Sequence, residues 1–366
     1  MKIIYFFEKK DTLMDDWQHF HIFDELMHYG VEVEIFNPLN YDSYDSANLS
    51  LLNKLECSDF DLFMTPHNES RLFEKTLKKI KNYKIPMLLI CFDNLVIPYE
   101  HKKVCSYYDL VWLTSKETEN LFHEWGAKTI FLPYAANPFL FKPVVSNENN
   151  KVCFIGSPYG SRVNIVNKII ENGIELDLYS KVNDNIDENI YSKQKLSSYV
   201  LPFINLIRFS YGRKIILGAI KNKFLKSKKI NKNLNNLSFY PPLPVNEIGK
   251  AYSQYSISLA TTEVRNTGVL AKPLNIVNLR SFEIPMSGGI QICKYSKELA
   301  NYFEDGKEII LYKDDKELID KLEYYLLPEN KPLRDKIKIA ARLRAEKEHS
   351  WIARFKVVFD TLDLSY

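Results

Sequence analysis

The chain has 366 residues, 46% of them apolar and 26% charged, with a net charge of +3. That length exceeds one ordinary domain and suits two, and the balance is that of a soluble globular protein. The small net charge excludes a strong polyanion binder, and no apolar run approaches the roughly 20 residues needed to span a bilayer.

Lys2–Phe7 reads as an apolar first strand, and the charges at Glu8 and Lys9 come too soon for a signal peptide. Asp15–Tyr29 has helical spacing and stops at Gly30, a natural cap. Val31–Phe36, Asp59–Thr65, Ile85–Phe92, Asp109–Thr114 and Thr129–Leu132 read as strands, with helices at Ser70–Tyr83 and Lys116–Trp125. Strands alternating with helices predict βαβ units and a mostly parallel sheet. Ligands bind beyond the carboxyl ends of such strands, which puts Glu8, His67, Asn68, Asp93 and Asn94 on one rim. His67 and Asp93 are candidates to touch a substrate; the plain alternative is that His67 caps a turn.

Tyr134–Val145 is punctuated by Pro138 and Pro143 and leads into a polar stretch, so the domain boundary is drawn at 145/146. A second α/β unit starts at the strand Val152–Ile155, followed by Gly156-Ser-Pro-Tyr-Gly-Ser-Arg162 and a helix, Val163–Asn172. A strand, a glycine loop and a helix in that order suit a phosphate, with Arg162 as the counter-charge. The glycines are four apart, so a dinucleotide fingerprint is missing and a dehydrogenase is disfavoured.

Residues 201–236 carry nine lysines or arginines and no acid, so the rest of the chain is net acidic. Leu201, Ile204, Ile207, Tyr211, Ile215 and Ala219 recur at helical spacing. The segment is either a solvated insertion packed on its domain or a basic amphipathic element for an anionic membrane. No nucleic-acid motif accompanies it. Strands at Leu237–Pro242, Ser256–Ala260 and Glu308–Tyr312 follow, with helices at Val245–Gln254, Lys297–Phe303 and Lys316–Leu326. A nearly continuous helix, Lys331–Phe359, is long enough to leave the second domain and pack on the first.

The stretch Asn275–Cys293 holds a polar loop, a short helix with Glu283, a glycine break at Gly288 and Gly289, and an apolar strand. Amides at the helix start and Arg280 offer an anion site, and Glu283 can accept bonds from sugar hydroxyls. The cysteines (57, 91, 105, 153 and 293) are scattered, as in a cytoplasmic protein with reduced thiols. The histidines lack metal-ligand spacing, His19 and His21 being two apart, so no metal site is expected.

Taken in order, several segments resemble the CgeB-like (spore-maturation-type) bacterial glycosyltransferases, within the GT-B group that includes the family-four retaining enzymes. Leu132-Pro-Tyr-Ala-Ala-Asn-Pro-Phe-Leu-Phe-Lys-Pro143 looks like the family's "P-x-G-V-D … F-x-P" connector. Asn278-Leu-Arg-Ser-Phe-Glu-Ile-Pro-Met-Ser-Gly-Gly289 looks like its "N-x-R-x-F-E-x-x-x-x-G". Tyr302-Phe-Glu-Asp-Gly-Lys-Glu308 and His349-Ser-Trp continue the match, which covers about residues 130–360.

The resemblance implies an α/β GT-B fold with two Rossmann-like domains facing a cleft. These would be an acceptor domain at 1–145, a donor domain at 146–345 with the basic insertion 201–236, and a C-terminal helix, 346–366, returning to the first. It implies a cytoplasmic, metal-independent and cofactor-free hexosyltransferase of polysaccharide biosynthesis, lying at the inner face of the membrane if 201–236 touches lipid. A nucleotide sugar, UDP-linked before GDP-linked, would be the donor, and a cell-surface glycan, lipid-linked saccharide or protein the acceptor.

Glu283 would bind the ribose. Loop amides helped by Arg280 and Arg162 would hold the diphosphate, with Asn278, Gly156, Ser157 and Gly288 also binding the donor, and the base would lie near Tyr179 and Tyr240. Arg280 would stabilise the leaving phosphate, with Asp93 or His67 as base. One departure stands out: Asn275 occupies the place of the earlier of two family-four glutamates, which weakens the inference of retained configuration. A non-catalytic relative that binds nucleotide sugar, a protein or a membrane is the alternative.

Overall fold

A computed structural model of the chain describes residues 1–10, 13–145, 147–181, 204–224, 229–232 and 234–366. They divide into two compact units, Met1–Asn137 with Trp351–Tyr366, and Pro138–Ser350. The boundary drawn from sequence at 145/146 falls within the second unit.

The first unit holds a six-stranded sheet in the order β2-β1-β3-β4-β5-β6. The strands are β1 (Lys2–Phe6), β2 (Glu32–Phe36), β3 (Leu62–Thr65), β4 (Met87–Cys91), β5 (Leu110–Leu113) and β6 (Thr129–Phe131), and every pairing is parallel. Every residue of β3, β4 and β5 is buried. Parallel strands are covered on both faces, so they show as continuous apolar runs rather than alternation. The helix α1 is interrupted: Leu13–Gln18 and Asp24–His28 flank a π turn, His19–Phe23. The helix α2 (Tyr44–Cys57) opens on a capping box in which Ser43 and Ser46 satisfy each other's backbone. The helices α3 (Glu74–Asn82) and α4 (Glu119–Glu124) complete the crossovers.

The second unit repeats the plan with the order β12-β11-β10-β7-β8-β9, again all parallel. Its strands are β7 (Asn149–Ile155), β8 (Leu176–Tyr179), β9 (Leu237–Tyr240), β10 (Tyr255–Leu259), β11 (Gln291–Lys294) and β12 (Ile310–Tyr312). Its helices are α5 (Ser161–Glu171), α6 (Ser210–Phe224), α7 (Val245–Gln254), α8 (Arg280–Met286), α9 (Lys297–Tyr302), α10 (Asp315–Leu326) and α11 (Lys331–Glu348). Part of the basic segment 201–236 lies outside the described residues; its described portion includes α6.

The long C-terminal helix expected over Lys331–Phe359 is two helices, because α11 ends at Glu348 and α12 (Trp351–Thr361) begins after His349 and Ser350. Local propensity does not make this break; tertiary anchors do. The Nε2 of His349 lies 3.1 Å from the Tyr302 carbonyl in the second unit. In the first unit the buried Glu25 carboxylate accepts the Trp351 N–H at 3.2 Å and the Ile352 N–H at 2.8 Å. A carboxylate there satisfies two orphan amides and complements the helix dipole, which seats α12 in the first unit.

Candidate functional site

In each sheet the first strand is an internal one with later strands on both sides, so the chain reverses direction of winding beside it. Loops at such a switch point form the ligand crevice of open α/β sheets. In the second unit the switch lies between β7 and β10.

The loop after β7 begins at Gly156, whose φ of 140° is a conformation that side-chain-bearing residues rarely adopt. Its N–H donates to the Tyr179 carbonyl at 2.9 Å, tying the loop to the end of β8. An added Cβ at Gly156 would lie 2.9 Å from Cζ of Arg280 and closer still to one guanidinium nitrogen. The glycine therefore makes room for that guanidinium beside the loop. Arg162, in the first turn of α5, donates to the Ser157 carbonyl at 3.2 Å and lies over the Tyr159 ring at 4.3 Å. Arg265, from the loop after β10, lies over the same ring at 4.9 Å.

Arg162, Arg265 and Arg280 are close enough that their charges act on one another. Burial lowers the Arg162 pKa first, and repulsion from Arg280 and Arg265 lowers it further, while Tyr159 and Glu263 oppose this. Glu263 itself is ion-paired with Lys294 at 3.1 Å. Three cations gathered at a glycine loop and the N-terminus of an 11-residue helix are the chemistry that suits an anion.

An aromatic platform adjoins it. Tyr179 and Tyr240 are partners at the carboxyl ends of β8 and β9, with rings stacked at 5.0 Å and 21°. Tyr255 braces the platform, its hydroxyl donating to Asp177 at 2.6 Å and lying 2.8 Å from that of Tyr179.

Glu283 lies in the first turn of α8 and is 7% exposed. The buried Tyr252 hydroxyl sits beside both Glu283 and Arg280; burial first, and then the Glu283 charge, raise its pKa. Asn278 bridges the loop to the helix, donating to the Thr261 carbonyl at 2.8 Å and accepting the Arg280 N–H at 3.2 Å. Its amide thus fixes where Arg280 starts. Gly288 lies at the far end of α8, with φ 66°, where an added Cβ would be 3.1 Å from Pro143. There it turns the chain. The structure thus gathers Gly156, Ser157, Arg162, Arg280, Tyr179 and Tyr240 around the switch point.

Sequence reasoning missed Tyr159, Arg265, Glu263 and Lys294. Arg265 lies beyond a strand end at the switch point, and a topology would have flagged it.

In the first unit the switch lies between β1 and β3. The Glu8 N–H donates to His67 Nε2 at 2.9 Å, so that nitrogen is an acceptor already in use. Burial lowers the His67 pKa to about 4, so the ring is neutral at neutral pH. Tyr44 donates to the Glu8 carboxylate, and Arg71 and Lys10 pair with it. These contacts overcome the upward push of burial and hold its pKa below the usual range. Asn94 is buried and spends its amide on Thr114, Ser115 and Thr118. Asn68 donates to Glu100 at 3.0 Å. Asp93 has φ 56°, and its pKa is raised by burial, with a weaker opposing bond from Tyr134 at 3.4 Å.

Among the described residues no group of three or more His, Cys, Asp or Glu is placed to hold a metal ion. No helix among them is long and apolar enough to cross a membrane.

Residues 211–360 match the model of a family described as glycosyl transferase-like. A glycosyltransferase structure from Rickettsia africae ESF-5 is similar at TM-score 0.60 and 10% identity, covering 100% of this chain and 99% of that one. HepE from Anabaena, solved in complex with UDP and glucose, is similar at TM-score 0.56 and 12% identity, with 99% of each chain covered. Sucrose-phosphate synthase from Thermosynechococcus elongatus gives TM-score 0.56 and 12% identity, covering 99% of this chain and 98% of that one. No curated protein sequence matches. At such identities the solved structures carry the fold alone. The chain has the GT-B fold of these solved glycosyltransferases, and its residues 211–360 carry the sequence signal of the glycosyl transferase-like family.

Proposed function

We propose that the chain transfers a sugar from a nucleotide-diphosphate donor, UDP-linked by preference, to a glycan, lipid-linked saccharide or protein acceptor, as a CgeB-like enzyme would. The observation that carries this is the gathering of Arg162, Arg265 and Arg280 at the Gly156 loop, next to the Tyr179–Tyr240 stack. The arginines take the diphosphate, the stack takes the base and Glu283 takes the ribose hydroxyls. The bond between the anomeric carbon and the diphosphate oxygen breaks with its electrons passing to the phosphate. Preorganised guanidinium groups stabilise that charge as it develops, so neither metal nor cofactor is required. The acceptor oxygen forms the new bond, with retention of configuration, and its proton passes to a base.

A thermal-shift panel of UDP, GDP, ADP and CMP tests the donor site. A ligand bound only to the folded state adds roughly 2.7 kcal/mol at a hundredfold excess over its dissociation constant. UDP should raise the melting temperature, and Glu283→Ala should remove the shift. No shift with any nucleotide, on folded protein, defeats the proposal.

Asp93 is the proposed base. Of the two candidates, the His67 Nε2 is spent on the Glu8 N–H, whereas burial has raised the Asp93 carboxyl toward a useful pKa. Asn tolerates the left-handed backbone at this position, so Asp93→Asn should fold normally. It should keep the nucleotide-induced shift and lose roughly 100-fold or more in transfer rate. The wild-type rate should fall as the pH drops through a value above the ordinary aspartate range. Full transfer by Asp93→Asn would remove Asp93 from the role.

A further inference from the structure

The helix α6 carries large apolar residues on its outward side. Its inward side carries Gly218 beside the half-buried Tyr211 and Ile215: an added Cβ at Gly218 would lie 2.7 Å from the Asn266 carbonyl oxygen and 3.1 Å from the Thr267 Cα. Asn222 on the same side donates to Asn266 Oδ1 at 3.3 Å. The helix therefore seats its backbone directly on the loop that follows β10. Three large apolar residues point the other way, with Leu217 55%, Ile220 48% and Phe224 83% exposed.

Arg213, Leu217, Ile220 and Phe224 are spaced four, three and four apart, which puts them on one helical stripe. Lys214 and Lys221 flank it and are exposed. The whole segment 201–236 contains no acid. An ordinary surface helix hides such residues and shows its small ones. Large apolar groups between cations match the boundary of an anionic bilayer, where side chains enter the acyl region and cations meet headgroups.

We propose that the outward stripe of α6 is a docking face for an anionic lipid bilayer. Because the opposite side of α6 rests on the loop carrying Arg265, docking would hold the second unit's anion site at a fixed height above the lipid. The docking does not depend on sugar transfer, and vesicle binding is measured without nucleotide, so either reading can fail alone.

The test is co-sedimentation of the whole chain with vesicles of phosphatidylcholine alone or mixed with phosphatidylglycerol. Wild type should sediment only with the anionic vesicles and be released by high salt, because exposed charges are screened. Combining Leu217→Ser, Ile220→Ser and Phe224→Ser should abolish sedimentation without altering the melting temperature. Combining Arg213→Gln, Lys214→Gln and Lys221→Gln should reduce partitioning roughly a hundredfold, at about fivefold per cation near the surface. The same change at Lys78, Lys79 and Lys81 of α3 should leave it unaltered. The proposal is overturned if wild type ignores anionic vesicles, if neutral vesicles bind it equally, or if the α3 control matches the α6 variants. Retention by duplex DNA without vesicle binding would also overturn it, in favour of a nucleic-acid partner.

Discussion

Replacing Gly156 by alanine should weaken UDP binding by roughly tenfold to a hundredfold while both units stay folded. The argument starts from space. A Cβ at this position enters the Arg280 guanidinium, and the end of a flexible side chain is what must give way. Arg280 should therefore swing from the loop, and with it would go the charge-assisted bond to the diphosphate that the proposed function assigns to it, worth about 1.5–3 kcal/mol. A second cost is local, since φ 140° strains any residue with a Cβ, by about 1–3 kcal/mol of stability. The two costs separate in a double-mutant cycle. If Gly156→Ala acts through Arg280, then adding it to Arg280→Ala should lower affinity no further, although stability still drops. Isothermal titration with UDP reads the first quantity and thermal unfolding the second. Additive losses of affinity would show that the loop backbone, rather than Arg280, makes the contact.

How much of this was legible in sequence follows from what each signal depends on. The strands were legible because burial on both faces leaves unbroken runs such as Met87–Cys91. Tyr44–Cys57 was not: Ser43 and Ser46 cap it in place of a serine–glutamate pair, and its buried face includes Asn48. The break before Trp351 was not legible either, because it is set by Glu25 and Tyr302, far away in the chain. In the candidate site, Arg162, Arg280 and Gly156 stand out in sequence because each adjoins a glycine loop or helix start. That the glycine exists to admit the arginine is a contact between residues 124 apart, invisible to spacing. Asn278 and Gly288 carried the motif, yet Asn278 bonds the Thr261 carbonyl and the Arg280 N–H and Gly288 packs on Pro143, whereas Arg265, outside any motif, joins the cluster. Local pattern finds the residues that start elements; only the sheet order brings the β7 and β10 loops together.

The same dependence on distant partners governs stability, and the largest expected effect is at Glu148. This carboxylate accepts from Arg334 Nη2 at 2.6 Å and Lys338 Nζ at 2.7 Å, just before the strand that ends at the glycine loop. Arg334 is 2% exposed and also donates to the carbonyls of Tyr325 and Leu327. Burial pushes the Glu148 carboxyl up, but the two cations outweigh it and hold its pKa at about 2. The folded value lies below the unfolded value of about 4.3, so the ionised group stabilises the fold above that pH. That contribution is lost as pH falls through about 2. Glu148→Gln leaves a guanidinium buried without its counter-charge and should cost about 3–5 kcal/mol at neutral pH. Adding Arg334→Met should recover part of the loss, because the stranded charge is then gone. Thermal unfolding across the acid range provides the check. The gap between wild type and Glu148→Gln should narrow steadily below about pH 4, as the wild type loses the charge that the variant never had. A gap that stays constant to low pH would assign the effect to packing, and the β7 strand would then owe its anchoring to shape rather than to the ion pair.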